Sequence, residues 1–218
     1  KITLPANGHI DLEGTAAELQ PVLAKINGAY KGDVTVTTLD ADSVKALAQL
    51  KAINNATSGD VSVTTPSALE GSIKDIQAAL KGITGFTAAV TVTDTKYTLA
   101  QLKTIVDSGV VTPNNIILDV NAPLSGSVEA LNAVLVKVPD TYAGAITVTG
   151  KYTLAELTAL NEQTTGAIKL ANTSVALEGT AAALVTGLSA LKGYKGAVKV
   201  TDALTGLDQL LAINNATT

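Results

Sequence analysis

The tetrapeptide Leu12-Glu13-Gly14-Thr15 returns as Leu69-Glu70-Gly71-Ser72, Leu124-Ser125-Gly126-Ser127 and Leu177-Glu178-Gly179-Thr180, at leucine-to-leucine separations of 57, 55 and 53 residues. A second phrase, Ala52-Ile53-Asn54-Asn55-Ala56-Thr57, recurs verbatim as Ala212-Ile213-Asn214-Asn215-Ala216-Thr217, 160 residues later, or three periods of about 53. Self-similarity at a fixed period constrains a chain more than any single motif, because each copy is one supersecondary unit that must bury its apolar face against the next.

Each period divides into two half-units of strand then helix. The strand signal is a short alternation of apolar and polar residues rich in β-branched side chains. It occurs at Ile2-Thr3-Leu4, Val34-Thr35-Val36, Val61-Ser62-Val63, Val90-Thr91-Val92, Ile116-Ile117-Leu118, Ile146-Thr147-Val148, Ile168-Lys169-Leu170 and Val198-Lys199-Val200. Between these triplets, apolar residues recur at helical spacing, as in Leu99, Leu102, Ile105 and Val106, or Leu154, Leu157 and Leu160. Thr15-Ala16-Ala17-Glu18, Thr98-Leu99-Ala100-Gln101 and Thr153-Leu154-Ala155-Glu156 read as capping boxes at helix starts. Pro21 falls inside the first predicted helix, close enough to its start to be tolerated.

A β-α alternation of this kind predicts parallel strands joined by right-handed helical crossovers. The expected fold class is α/β: a right-handed β-α solenoid of about four double repeats of roughly 55 residues, with one parallel sheet and the helices packed on one face. A closed α/β barrel is the alternative, since eight triplets are visible. The domain expectation is a single continuous array over 1–218, with repeats starting near 12, 69, 124 and 177. The chain stops just after Asn-Asn-Ala-Thr-Thr without an obvious polar cap, so the simplest expectation is a segment of a longer array.

Composition removes several function classes. Hydrophobic residues make up 46% of the chain, yet aromatics are 3%, with no Trp and one Phe, so the core must be aliphatic. With no Cys and a single His, His9, disulfides, Cys-ligated zinc, thiol nucleophiles and a conventional Ser-His-Asp triad have no residues to use. A net charge of −4 without a basic run argues against nucleic acid as a partner. No apolar run approaches the roughly 18 residues of a spanning helix, so no membrane insertion is expected. No Gly-rich phosphate cradle or nucleophile elbow is present, carboxylates recur at turns instead of gathering in one place, and the chain is not expected to be an enzyme or to need a cofactor.

The middle residues of the triplets form an outward column, a possible surface ladder of Thr35, Ser62, Thr91, Thr147, Lys169 and Lys199, in which Thr3 and Ile117 also take part. Thr37, Thr64, Thr93, Thr149 and Thr201 follow as a second column. Thr-x-Thr ladders order water in ice-binding proteins, but threonine also simply favours strands, and Ile117, Lys169 and Lys199 interrupt the column. Four aromatics, Tyr30, Phe86, Tyr142 and Tyr194, stand four residues before a strand in each period and are expected to form an internal structural ladder. Asp40, Asp42, Asp94, Asp119 and Asp202 lie at turns; Asp42 is expected to cap a helix, and calcium is only a remote candidate because no Asp-x-Asp-x-Asp-Gly loop or Gly-Gly-x-Gly-x-Asp nonapeptide occurs. Asn55-Ala56-Thr57, Asn172-Thr173-Ser174 and Asn215-Ala216-Thr217 match the glycosylation sequon. His9 is expected in an exposed loop.

The phrases Tyr97-Thr98-Leu99-Ala100-Gln101-Leu102-Lys103 and Ala52-Ile53-Asn54-Asn55-Ala56-Thr57, alternating with Leu-Glu-Gly-Thr, resemble the repeat regions of very large bacterial secreted and surface proteins. These are cyanobacterial or proteobacterial haemolysin-type (RTX-like) exoproteins and S-layer or adhesin-like giants. The resemblance spans the whole chain, rests on repeat style, and carries over no functional residue; the calcium-binding nonapeptides of RTX segments are absent. It implies an extracellular or bacterial cell-surface location. The expected part is structural, a spacer, filament or surface-layer component, and uncapped ends that expose strand edges are expected to self-associate end to end with further copies of the repeat or the chain. The alternatives are an adhesin-like module binding a cell-surface glycan or protein through the exposed sheet face, and an ice-binding threonine ladder.

Overall fold

The computed structural model describes residues 2–4, 10–83, 85–107, 115–139, 141–189, 191, 194–203 and 206–217. These fold into two compact units, one of Lys1–Thr95 with Gln101–Val120 and one of Lys96–Ala100 with Asn121–Thr218. The first holds β1 (Leu12–Gly14), α1 (Ala16–Leu23), β2 (Val34–Val36), α2 (Ser43–Ala56), β3 (Val61–Val63), β4 (Leu69–Gly71), α3 (Ile73–Leu80), β5 (Val90–Val92), most of α4 (Leu99–Asp107) and β6 (Ile116–Leu118). The second holds β7 (Leu124–Gly126), α5 (Val128–Leu135), β8 (Ile146–Val148), α6 (Leu154–Glu162), β9 (Ile168–Leu170), β10 (Leu177–Gly179), α7 (Ala181–Leu188), β11 (Val198–Val200) and α8 (Leu207–Ala216).

All pairing is parallel, and the chain is α/β with strands and helices alternating. Among the described residues the single sheet expected from the sequence is replaced by four small ones, ordered β1-β2-β3, β4-β5-β6, β7-β8-β9 and β10-β11, and these close no barrel. The cause lies in the Leu-x-Gly tag, which the alternation had marked only as a helix start and which is a strand in every period. Register runs Leu12 to Val34 to Val61, Leu69 to Val90 to Ile116, Leu124 to Ile146 to Ile168, and Leu177 to Val198. Thus the Val-Thr-Val strand of one half-unit is flanked by the Leu-x-Gly strand before it and the Val-x-Val strand after it. Between Val-x-Val and the next Leu-x-Gly lie only five or six residues, at 64–68, 119–123 and 171–176, and there the ladder stops and restarts. Ile2-Thr3-Leu4 is not a strand: Ile2 makes one isolated bridge to Ile26.

Seven of the eight triplets are strands, and their inward residues supply the core. Val34, Val36, Val90, Val92, Ile116, Ile146, Val148, Ile168 and Leu170 are buried together with helix residues such as Leu50, Ile53, Ile76, Leu102, Leu131, Leu157 and Leu184. Consecutive helices pack on one another, α1 on α2 on α3 in the first unit and α5 on α6 on α7 on α8 in the second. Burying each aliphatic side chain contributes about 1.5–3 kcal/mol, which compensates for the scarcity of aromatics. Helix starts follow the polar residues expected of them: Asp42 accepts hydrogen bonds from the N–H groups of Val44 and Lys45, and Thr153 exchanges bonds with Glu156. Pro21 sits in the second turn of the eight-residue α1, later than expected, and the helix ends two residues beyond it.

Candidate functional site

The outward column exists in segments. Register places Glu13 beside Thr35 and Ser62, Glu70 beside Thr91 and Ile117, Ser125 beside Thr147 and Lys169, and Glu178 beside Lys199. Each segment therefore opens with a residue of the Leu-x-Gly strand, and three of the four opening residues are glutamates. The Ser62 hydroxyl donates to Thr35 Oγ1 at 3.2 Å, and Lys199 Nζ pairs with Glu178 at 2.8 Å on the surface. Thr35, Thr91 and Thr147 are half-buried, whereas Ser62, Lys169 and Lys199 are exposed. The residues of the second column extend the ladder through their backbone: the N–H of Thr37, Thr93, Thr149 and Thr201 each donates to the glycine carbonyl of the neighbouring Leu-x-Gly strand.

Tyr30, Phe86, Tyr142 and Tyr194 are all buried. The Tyr30 hydroxyl donates to the carbonyl of Ile10 and that of Tyr142 to the carbonyl of Ala122, each twenty residues upstream. To reach it, the ring passes directly beside the residue two positions on. A Cβ on Gly144 would lie 2.7 Å from Tyr142 Cε1 and 2.8 Å from its hydroxyl, and one on Gly32 3.0 and 3.1 Å from the same atoms of Tyr30. The chain thus pairs Tyr-x-Gly three times and, where the hydroxyl is missing, has Phe86-Thr87-Ala88. Burial and the neighbouring Tyr97 raise the Tyr142 phenol well above its ordinary value, and burial with Tyr152 alongside pushes Tyr194 up to about 12.

A second recurring arrangement joins β4, β7 and β10 each to the helix before it. A Cβ on Gly71 would overlap Leu47 Cδ2, one on Gly126 would overlap Leu99 Cδ2, and one on Gly179 would overlap Leu154 Cδ2. The leucine sits where a side chain would otherwise stand, so glycine is required by space and not by backbone conformation. Two turns further along, an asparagine completes the join. Asn54 Nδ2 donates to the carbonyls of Ala79 and Lys81 at 2.9 and 2.8 Å, at the end of α3, and Asn161 Nδ2 donates to the Thr186 carbonyl and Ser189 hydroxyl at the end of α7. The repeated Asn-Asn-Ala-Thr phrase also serves the other neighbour, since Thr57 and Thr217 bridge to Tyr30 and Tyr194.

The acidic residues satisfy helix ends. Asp94 and Asp202 accept the first N–H of α3 and α7, from Ile73 at 2.6 Å and Ala181 at 2.7 Å, and Asp40 accepts from the N–H of Asp42 at 2.9 Å. Among the described residues no three His, Cys, Asp or Glu side chains are placed to share a metal ion. Lys51 and Ser72 hold the Asp75 carboxyl below its usual range, and the N–H and hydroxyl of Thr15 do the same for Glu18. Asn55, Asn172 and Asn215 are exposed, and His9 lies outside the described residues. A cavity of about 380 Å³ is lined by Ala167, Ile168, Lys169, Leu170, Thr173, Leu191 and Tyr194. No helix among the described residues is long and apolar enough to cross a membrane. No family model matches the chain, and no curated protein sequence matches it.

Sequence reasoning identified the aromatic positions and Asp42 but missed the leucine-glycine join. Its signal was present: the first leucine of Leu47-Ala48-Gln49-Leu50, Leu99-Ala100-Gln101-Leu102 and Leu154-Ala155-Glu156-Leu157 recurs in step with the glycine of the following tag.

Proposed function

We propose that this chain is a structural repeat protein: a right-handed β-α solenoid acting as an extracellular spacer, filament or surface-layer component. The observation that carries the reading is where the repeated residues are used. Leu47, Leu99 and Leu154, Gly71, Gly126 and Gly179, Asn54 and Asn161, and the Tyr-x-Gly pairs all join one half-unit to the next. Residues that recur because each unit must hold its neighbour are the expected signature of a quasi-one-dimensional array, whose stability is a sum of neighbour interfaces. The extracellular or cell-surface setting rests on the resemblance in repeat style.

The competing reading, an adhesin-like module, needs recognition residues on the outward column, where interfaces ordinarily concentrate aromatics and Arg. That column carries Thr, Ser, Glu, Lys and Ile. Two measurements test the proposal together. Protease shaving of intact producing cells should release peptides of this chain, and glycan and protein arrays should give no binding that is lost on replacing Lys169 and Lys199 with Thr. Micromolar or tighter binding that depends on either lysine, or a chain protected from shaving until cells are lysed, would overturn it.

A further inference from the structure

The three Asn-x-Ser/Thr triplets stand in two different backbone settings. Asn55 lies in the last turn of α2 and Asn215 in the last turn of α8. In a helix, residues two apart do not face each other, so the amide and the hydroxyl that follows it point away from one another. That hydroxyl is also in use: Thr57 Oγ1 donates to the Ile53 carbonyl at 2.9 Å, and Thr217 Oγ1 to the Ile213 carbonyl at 3.2 Å. The backbone is held from its other side as well. The N–H of Tyr30 donates to the Ala56 carbonyl at 2.7 Å, and that of Tyr194 to the Ala216 carbonyl at 3.1 Å.

Asn172-Thr173-Ser174 differs on every count. It lies in the six-residue turn 171–176 between β9 and β10. The corresponding turns 64–68 and 119–123 are one residue shorter and each holds a proline, Pro66 and Pro123; this one holds none. Asn172 and Ser174 are exposed, while Thr173 between them lines the cavity beside Ile168 and Leu191. Asn172 Oδ1 accepts from the Ser174 N–H at 3.0 Å, an Asx turn that draws the amide back onto the residue two positions on. Among the described residues no partner holds the Ser174 hydroxyl or Asn172 Nδ2, and no backbone–backbone hydrogen bond engages Asn172, Thr173 or Ser174. The carbonyl of Asn172 is anchored from below by the hydroxyl of the buried Tyr152, which fixes the turn without covering it.

We propose that Asn172 is an N-glycosylation site, and that of the three triplets it alone is offered to a transferase by the folded chain. The co-substrate is a sugar activated as its diphosphate ester. The side-chain nitrogen of Asn172 forms a bond to the anomeric carbon as the bond from that carbon to the phosphate oxygen breaks. The diphosphate leaves with the electron pair, and an amide proton passes to a base of the transferase. The Asx turn already sets the amide against Ser174, whose free hydroxyl an enzyme can engage. At Asn55 and Asn215 the same attack requires the last helical turn to unwind and the bond from Tyr30 or Tyr194 to break. A sugar on Asn172 stands in solvent, where its bulk is tolerated. The assignment stands apart from the array reading and adds to it.

Mass spectrometry of the chain purified from its producing cells tests it. The tryptic peptide that carries Asn172 should bear sugar. Asn172→Gln and Ser174→Ala should each abolish it and Ser174→Thr should keep it, with far-UV circular dichroism unchanged in all three. A single hexose or a ladder of hexoses marks a nucleoside diphosphate donor and one fixed oligosaccharide a lipid diphosphate donor; either supports the site. In a second arm the purified chain meets a soluble N-glycosyltransferase and UDP-glucose. In the folded chain Asn172 should react at least about ten times faster than Asn55 or Asn215, which react only through local opening. In a tryptic digest the three rates should converge. A native chain without sugar on Asn172, sugar that survives Asn172→Gln on the same peptide, or Asn55 and Asn215 modified as fast as Asn172 in the folded chain would overturn the proposal. None of these results touches the array reading, which scattering tests separately.

Discussion

Replacing Gly144 with Ala is a small change that the structure makes costly. The added methyl would stand 2.7 Å from the Asn121 carbonyl oxygen and from Tyr142 Cε1, and 2.8 Å from the Tyr142 hydroxyl. Gly144 does not have a positive φ, so the penalty is steric, and forcing a methyl into a packed site costs about 1–3 kcal/mol. Tyr142→Phe alone removes the donor to Ala122 and leaves a buried carbonyl unpaired, at a cost of about 1–2 kcal/mol. In the double variant the phenyl ring is no longer tethered to Ala122 and can shift away from the new methyl, reproducing the Phe86-Thr87-Ala88 pairing already present in the chain. The alanine should then keep its clash with the Asn121 carbonyl but lose that with the ring, leaving a favourable coupling of about 1 kcal/mol in the cycle. Urea unfolding followed by far-UV circular dichroism, with all four proteins showing the same m-value, measures this. Strict additivity within about 0.5 kcal/mol would refute the argument that tyrosine dictates glycine two residues on.

Leu102→Ala, at a fully buried position of α4, should destabilise by about 2–5 kcal/mol in the same assay. Asn54→Ala removes the amide that caps α3 and should cost about 1–2 kcal/mol, while Asn214→Ala, at an exposed position of α8, should cost almost nothing. Alkaline titration should unfold the protein: a phenol whose folded value is raised binds its proton more tightly when folded, so stability is intact below about pH 10 and falls above it. For Tyr194 the loss runs from about pH 10 to about 12, at about 1.4 kcal/mol per pH unit. Tyr142 adds a like slope, and Tyr142→Phe should remove its share.

Most of the strand-helix order was legible, because period-two alternation at Val34, Val61, Val90 and their kin and the leucine spacing of α4 and α6 are strong local signals. The strands at Leu12–Gly14, Leu69–Gly71, Leu124–Gly126 and Leu177–Gly179 were not, since glycine disfavours strands and its use here is spatial. What calls for glycine is a leucine about 24 to 27 residues upstream, a contact that local pattern does not reveal. The break of one sheet into four has the same origin: once Leu-x-Gly is a strand, a half-unit holds two strand segments that pair with different neighbours. Among the described residues Ile2-Thr3-Leu4 has the alternation of a strand but pairs only through the single bridge of Ile2 to Ile26, so pattern alone overstated it.

Small-angle scattering by the protein tests the array most directly. A compact 218-residue chain has a radius of gyration of about 17 Å. Half-units stacked along an axis should give a value clearly above that, with the linear cross-sectional region of an elongated particle. A radius near 17 Å with the bell-shaped profile of a sphere would contradict the account.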